Sequence, residues 1–270
     1  MSIFAMFPCL WEILSTQTMW SCLIVAAAAL VQATVGFAAA MFGLPLLMWV
    51  GNDFVESQVL LVTAMFPQNL FNLWKLRHKI DLREVALPVA IRTAAMPIGI
   101  AGLALVMTWP QGTIQQLVGA LILLALGVQT LVGTQWRSAR HPVWMGVVFG
   151  GSGVLQGLSG MSAPPMVLWV HAQRYTHDRA RAFLFAIYCS NFVPQILLLW
   201  WKFGNSVFHS MAVALLTLPG VLLSATLGLW LGSRLGERWM RPAVFALLLW
   251  IGISSLLQPW LHGVVLPWLR

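Results

Sequence analysis

The chain has 270 residues, of which 60% are hydrophobic and only 8% are charged, and its mean hydropathy is +0.84. A soluble domain of this length cannot bury so much apolar surface, and several uncharged windows of about twenty residues are long enough to cross a bilayer. The formal charge of +8 comes from basic residues in short loops, with no basic face. This distribution excludes nucleic-acid binding and is typical of the topology signals of a membrane protein.

The sequence predicts an all-α polytopic membrane protein with eight apolar segments, two of them broken by glycine or proline. In chain order they are a broken segment at 19–50, helices at 54–74, 84–107 and 112–133, a second broken segment at 142–171, and helices at 178–201, 207–233 and 239–258. Residues 1–18 lack a basic region, so we expect a short interfacial segment there and no cleavable signal peptide.

Three motifs recur in the same order at a nearly constant offset. Gln32-Ala33-Thr34-Val35-Gly36 resembles Gln156-Gly157-Leu158-Ser159-Gly160, 124 residues later. The pattern P-Q-x-L-x-x-x-W-K begins at Pro67 and again at Pro194, and the apolar run ending in Gly127 resembles the run ending in Gly252. We therefore predict two homologous transmembrane repeats, at 15–134 and 142–258, joined by a linker at 135–141.

Basic residues predict how these repeats are oriented. Twelve of the 15 Lys and Arg residues fall in four segments, at 75–83, 135–141, 172–181 and 234–241, which the positive-inside rule places in the cytoplasm. Each repeat then consists of a broken, re-entrant helical hairpin and three transmembrane helices. Because three is odd, the repeats have inverted topology, the linker is cytoplasmic, and both termini are periplasmic.

The two breaks are the strongest candidates for a binding site, because interrupted segments at corresponding places of two repeats mark the substrate site of many secondary transporters. A helix that restarts after each break points free N–H groups and a partial positive charge toward the bilayer centre, which suits an anion. Hydroxyls and amides nearby would add donors. The candidate substrate-binding residues are Gln32, Thr34, Gly36, Phe37, Ala38, Asn69, Arg92, Gln156, Ser159, Gly160, Met161, Ser162 and Asn191.

Arg92 is the one basic residue well inside a predicted span, nine residues past Arg83 and so roughly 13 Å deep. Intramembrane charges are costly and usually face a cavity or a partner, and a guanidinium can bind two oxygens of a carboxylate, sulfonate or sulfite. The alternative is that Arg92 reaches back to the cytoplasmic interface. Asn69 and Asn191, with the neighbouring Gln68, Asn72 and Gln195, either line the cavity or join helices.

No cofactor or metal site is indicated. Cys9, Cys22 and Cys189 form no metal-binding spacing, and no carboxylate lies convincingly at the middle of a span. A metal or cation permease is therefore disfavoured, and the coupling ion stays open.

Gly157-Leu158-Ser159-Gly160 fits the G-x-S-G pattern of rhomboid-like intramembrane serine proteases. Such an enzyme needs a histidine within reach of the serine, but the later histidines fall at span ends or in loops, and the first repeat has Val35 in place of Ser159. We therefore predict that the protein is not an enzyme. A passive anion channel remains the main alternative to a carrier.

The two breaks also carry a family resemblance, over about residues 20–258. The first reads Val35-Gly36-Phe37-Ala38 and is followed by Gly43-Leu44-Pro45, and the second is a glycine-rich stretch at 157–165 that ends in a proline pair. At both breaks, the chain resembles the sulfite exporter TauE/SafE family of bacterial membrane transporters. That family is commonly richer in glycine at the first break, where this chain has Ala38, Ala39 and Ala40.

The resemblance implies transport of small sulfur-containing anions, such as sulfite, sulfonates and sulfoacetate, or of related organic acids, across the bacterial inner membrane. Together with the residues at the breaks, it predicts a secondary transporter that works by alternating access. The expected partners are a small anion and the lipid bilayer. The direction of transport and the oligomeric state, a homodimer included, stay open.

Overall fold

The computed structural model describes residues 16–132, 142–173 and 175–261, and all regular structure in this part of the chain is helical, which confirms the predicted all-α class. The helices are α1 (Thr16–Val35), α2 (Ala39–Trp49), α3 (Phe54–Leu76), α4 (Leu82–Val106), α5 (Gln111–Val132), α6 (Pro142–Ser159), α7 (Ala163–Ala172), α8 (His177–Phe203), α9 (Ser206–Leu216) and α10 (Leu218–Leu261), with a 3₁₀ turn at Arg77–Lys79. The predicted linker at 135–141 and both chain termini lie outside the described residues.

Several helices are long and apolar enough to cross a membrane. There are four such helices in the described part of the chain, and a fifth span results if a bent pair of helices is counted as one. The four are Thr16–Val35, Arg83–Val106, Gln111–Thr130 and His177–Phe203. Large apolar side chains such as Trp201, Leu105 and Ile98 are exposed on these helices, as expected for a surface covered by lipid. The protein is therefore a multi-pass membrane protein.

Both broken segments form helical hairpins with a three-residue break. The first break separates α1 from α2, and the second separates α6, of 18 residues, from α7, of 10 residues. Gly36 has a φ of 89° and Gly160 a φ of 69°. A residue with a side chain adopts such φ values only at an energetic cost, so glycine allows the chain to turn at both breaks.

Two predictions about the last helices are wrong. The segment at 207–233 is not one helix, because it bends by 58° at Thr217, between α9 and α10. Pro219 lacks the backbone N–H that would bond to the carbonyl oxygen of Leu215 one turn earlier, so the helical hydrogen-bond ladder is interrupted at this bend. The predicted loop at 234–241 is helical instead, and α10 continues through it. Its leucine, arginine and glutamate residues favour helix over an open loop.

Each hairpin packs closely against a helix of the other half of the chain. A methyl group added at Gly153 of α6 would lie 2.2 Å from the carbonyl oxygen of Arg92 in α4, and one added at Gly228 of α10 would lie 2.6 Å from Cβ of Ala33 in α1. Only small residues permit such close approach of membrane helices. As a result, Arg92 lies beside the second break.

Candidate functional site

A cavity lies between the two breaks and encloses about 610 Å³ of empty volume, part of which is open to the outside. Residues 38–41, where α2 begins, and residues 160–163, where α7 begins, both contribute to its wall. Two helix starts therefore meet at this cavity. The first turn of each helix presents N–H groups that have no partner inside the helix. The remaining polar wall consists of Gln32, Asn69, Arg92, Gln156, Tyr188, Asn191 and Gln195.

Arg92 is fully buried, with no solvent-exposed surface. Its Nη2 donates hydrogen bonds to Oε1 of Gln156 at 2.7 Å and to Oγ of Ser162 at 2.6 Å. Its Nε and Nη1 are buried without any hydrogen-bond partner. The nearest π-system is the ring of Tyr188, 5.6 Å from the guanidinium carbon. Arg92 therefore faces the cavity with two unused donors, and it does not reach the interface.

No carboxylate neutralises this cation among the residues whose side chains the structure describes, since each of those Asp and Glu residues is at least partly exposed. The ion pairs found there join Arg179 to Glu84 and Arg181 to Asp178. A buried charge without a counter-ion is costly. The cavity around Arg92 is thus an environment in which an anion is favoured.

Each broken helix is connected by one pair of buried amides to the helix that follows its hairpin. Nε2 of Gln32 donates to Oδ1 of Asn69 at 2.5 Å, and Nε2 of Gln156 donates to Oε1 of Gln195 at 2.7 Å. The first pair joins α1 to α3, and the second joins α6 to α8. These bonds fix the amides that line the cavity and leave part of their hydrogen-bonding capacity for a ligand.

One side of the cavity is apolar. The rings of Phe66 and Phe192 stack with centroids 4.1 Å apart, and Val62 and Met65 extend the same side. The cavity thus offers a polar side near Arg92 and an apolar wall.

Nine of the thirteen candidate residues line this cavity, namely Gln32, Ala38, Asn69, Arg92, Gln156, Gly160, Met161, Ser162 and Asn191. The other four do not. Thr34 donates its hydroxyl to the carbonyl oxygen of Val31 in its own helix, Gly36 lies against Arg181, and Phe37 packs against the hydrophobic core. Ser159 faces a separate, largely apolar cavity that is partly open to the outside.

Some residues in or near the cavity wall were not among the candidates. Gln195 lines the cavity and belongs to the repeated P-Q motif, so the repeat itself contained the signal. Tyr188 is a single tyrosine in an apolar helix, and no pattern in the sequence marks it. Gln58 lies behind the cavity and donates Nε2 to the carbonyl oxygen of Gln156. Asn72, one of the amides left undecided, is fully buried without a partner for either amide atom.

The geometry at Ser159 is that of a helix end. Its hydroxyl donates to the carbonyl oxygen of Leu155 and accepts a bond from the backbone N–H of Met161. Among the side chains that the structure describes, no histidine lines the cavity that Ser159 faces. Within the described ranges, no three His, Cys, Asp or Glu side chains cluster as metal ligands.

Residues 21–255 match the family model described as "Sulfite exporter TauE/SafE". Comparisons with curated proteins and with solved structures found no match. The family match covers most of the chain, both hairpins and every residue of the cavity wall. The protein therefore belongs to the TauE/SafE family, whose members are membrane transporters of sulfite-type anions and not enzymes.

Proposed function

We propose that this transporter binds a single small anion, a sulfur oxyanion or a sulfonate, in the cavity between the two hairpins. The observation that carries the proposal is the buried Arg92, whose Nε and Nη1 have no partner. An oxyanion can accept a charge-assisted hydrogen bond from Nη1 or from Nε, and such a bond is roughly twice as strong as one between neutral groups. The anion would also neutralise the buried charge.

The helix starts at residues 38–41 and 160–163 support the same proposal. Both lie in the cavity wall, and the N-terminus of a helix attracts an anion through its free N–H groups and its dipole. Ser162, which lines the cavity beside Arg92, adds a hydroxyl donor. The anion would therefore contact both halves of the protein at once.

The apolar wall supports a finer choice of substrate. The stacked rings of Phe66 and Phe192 offer no hydrogen bond to an oxyanion, but they can cover a short carbon chain attached to one. We therefore favour an organic sulfonate over inorganic sulfite as the tighter ligand.

Alternating access between two inverted repeats, at 15–134 and 142–258, is our proposal for the transport cycle. It is supported by the corresponding amide pairs Gln32–Asn69 and Gln156–Gln195 and by the packing of each hairpin on the other half. A ligand bound between the halves is released on either side when one half moves against the other.

The positive-inside distribution supports an inner-membrane location with a cytoplasmic linker and periplasmic termini. A cysteine introduced at Ser138, in a chain without its native cysteines, should react with an impermeant maleimide only after the membrane is opened. Labelling of intact spheroplasts would contradict this orientation.

The binding experiment is a thermal-shift titration of the purified transporter with sulfite, thiosulfate, sulfate, sulfoacetate, taurine, acetate and chloride at equal ionic strength. A ligand of the folded state raises the Tm according to its saturation. We expect a saturable shift with sulfur anions, largest with sulfoacetate. Phe192→Ala should weaken the binding of sulfoacetate more than the binding of sulfite. The control is Phe208→Ala, which removes a half-exposed ring of α9 and should leave both affinities unchanged.

If none of these anions shifts the Tm, the proposed site is wrong. Reconstituted vesicles then separate a carrier from a channel. A carrier preloaded with the anion shows counterflow of labelled anion that saturates with concentration. Uptake without counterflow would favour the passive channel instead.

A further inference from the structure

Each break is contacted by one buried side chain from the helix that follows the hairpin of the other half. At the first break, Nη1 of Arg181 in α8 donates to the carbonyl oxygen of Ala33 at 3.3 Å. At the second, Nε2 of Gln58 in α3 donates to the carbonyl oxygen of Gln156 at 2.9 Å. Both carbonyls belong to the last turn of a broken helix, and that of Gln156 also accepts a hydrogen bond from the backbone N–H of Gly160 at 2.9 Å.

The stems of the same two side chains pack against the glycines of the breaks. A methyl group added at Gly36 would lie 2.9 Å from Cγ of Arg181, and one added at Gly160 would lie 3.2 Å from Cγ of Gln58. Arg181 and Gln58 are each the fifth residue of their helix. The same combination of a donor and a packed stem therefore occurs once in each half.

Neither side chain belongs to the cavity wall. Gln58 is 1% exposed and Arg181 is 4% exposed, so both are enclosed by protein behind the breaks. Gln58 contacts the backbone of Gln156, whose side chain binds Arg92. A change at Gln58 can thus reach the anion by moving Gln156 or Gly160, both of which line the cavity.

Arg181 differs from Gln58 in its charge. It lies at the C-terminal end of α1, where the helix dipole is negative and a cation is stabilising. Its Nη2 also pairs with Asp178 at 2.8 Å, and that carboxylate is half exposed. The first break is therefore fixed by an ion-paired cation, and the second by a neutral amide.

We infer that Gln58 and Arg181 are positioning residues of the anion site, and that each fixes the break of the other half's hairpin without contacting the anion. The inference rests on the proposed function, because it predicts a change in anion affinity. It goes beyond that function by naming two residues, outside the cavity, on which the geometry of the helix starts depends.

The test compares variants that keep the stem and remove the donor. Gln58→Met and Arg181→Met should each raise the Kd for the tightest anion by about threefold to tenfold, the effect of one hydrogen bond. Arg181→Lys keeps the charge and an N–H donor, so it should restore most of the affinity. The Kd is compared only between variants whose unliganded Tm lies close to that of the wild type.

Two further variants serve as controls. Arg179→Met removes a cation from the same helix, but Arg179 pairs with Glu84 at the surface. Gln111→Met removes an exposed amide at the start of α5. Both should bind the anion with the Kd of the wild type.

The outcomes separate this inference from the proposed function. If Arg92→Gln binds the anion more weakly than the wild type, but Gln58→Met and Arg181→Met both bind it with the Kd of the wild type, the positioning role is wrong and the anion site stands. If the wild type binds no anion, the proposed function itself fails. Should Arg181→Met not fold, the Gln58→Met result alone decides, because that change alters neither charge nor stem length.

Discussion

Arg92 of α4 donates a 2.7 Å hydrogen bond to the side-chain oxygen of Gln156 in α6, so a cation from the first half of the chain is fixed by the broken helix of the second half. Gln156 in turn donates to Gln195 in α8 and accepts from Gln58 in α3. The orientation of the guanidinium therefore depends on four helices at once. The site exists only where both halves are packed together.

Arg92→Gln removes both unused donors and the charge. We expect anion affinity to fall by about 1.5–3 kcal/mol, the contribution of a hydrogen bond to a charged group. Arg92→Lys keeps the charge but not the several donors of the planar guanidinium, so it should retain part of the affinity. Isothermal titration of the purified variants measures both.

The matched control for this change is Arg77→Gln, because Arg77 is exposed and donates only to the carbonyl oxygen of Trp74 in its own turn. It should bind the anion like the wild type. Equal affinity of Arg92→Gln and the wild type would leave Arg92 with a purely structural role.

Ala38 has a φ of 84°, the only positive φ of a residue other than glycine among those described. A side chain in this left-handed conformation costs about 1–2 kcal/mol, which glycine avoids. Ala38→Gly should therefore raise the free energy of unfolding by about 0.5–1 kcal/mol after its own entropy cost, seen as a higher Tm in detergent. It also restores the glycine that the family commonly has in this region.

The control for Ala38→Gly is Ala39→Gly, the next position, where α2 begins. There the conformation is helical, and glycine should lower the Tm, by an amount that corresponds to about 1 kcal/mol at most. A lower Tm for Ala38→Gly would show that the methyl group of Ala38 contributes more through packing than it costs in conformation.

The sequence was sufficient to find the breaks, Arg92 and most of the cavity amides, because those signals are local. Glycine and proline interrupt an apolar run, a single arginine falls inside a span, and amides recur in a repeated motif. The direction of a side chain near a helix end, by contrast, does not follow from the adjacent residues. Thr34 and Ser159 both fold their hydroxyls back onto their own helix, and nothing in the adjacent residues distinguishes them from Ser162.

Arg181 shows a second limit. Its position among other basic residues indicated a cytoplasmic loop, yet it is almost fully buried against Ala33 and Gly36. The depth to which the first hairpin extends cannot be predicted from the sequence, because it depends on the packing of α1 against α8 and α10. The bend at Thr217 lies next to Pro219, but Pro67 and Pro194 lie inside unbroken helices, so a proline alone does not predict a bend.

The contact between α4 and α6 predicts a sharp difference between two glycines of the same helix. A methyl group at Gly157 would lie 2.4 Å from the carbonyl oxygen of Met96, whereas one at Gly150 meets no atom within 4 Å. Gly157→Ala forces two backbones apart and should destabilise the protein by about 1–3 kcal/mol. It should also weaken anion binding, because Gln156 is the adjacent residue.

Gly150→Ala should be neutral or should stabilise the protein by up to about 1 kcal/mol, since alanine favours helix over glycine. Thermal unfolding of both variants in the same detergent provides the comparison. Similar Tm values for Gly157→Ala and Gly150→Ala would contradict the close packing of α4 on α6.

Ser162 and Ser159 lie three residues apart at the second break, but they face different cavities. Oγ of Ser162 accepts a bond from Arg92 at 2.6 Å and keeps its own proton to donate to an anion. Ser162→Ala should therefore lower anion affinity by about 0.5–1.5 kcal/mol. Ser159→Ala loses only bonds to its own turn and should leave the affinity unchanged, which titration of both variants tests. The same two variants test the protease alternative, because Ser159→Ala would inactivate a serine nucleophile. If Ser159→Ala keeps the anion affinity of the wild type and Ser162→Ala lowers it, this break binds an anion and does not cleave a peptide.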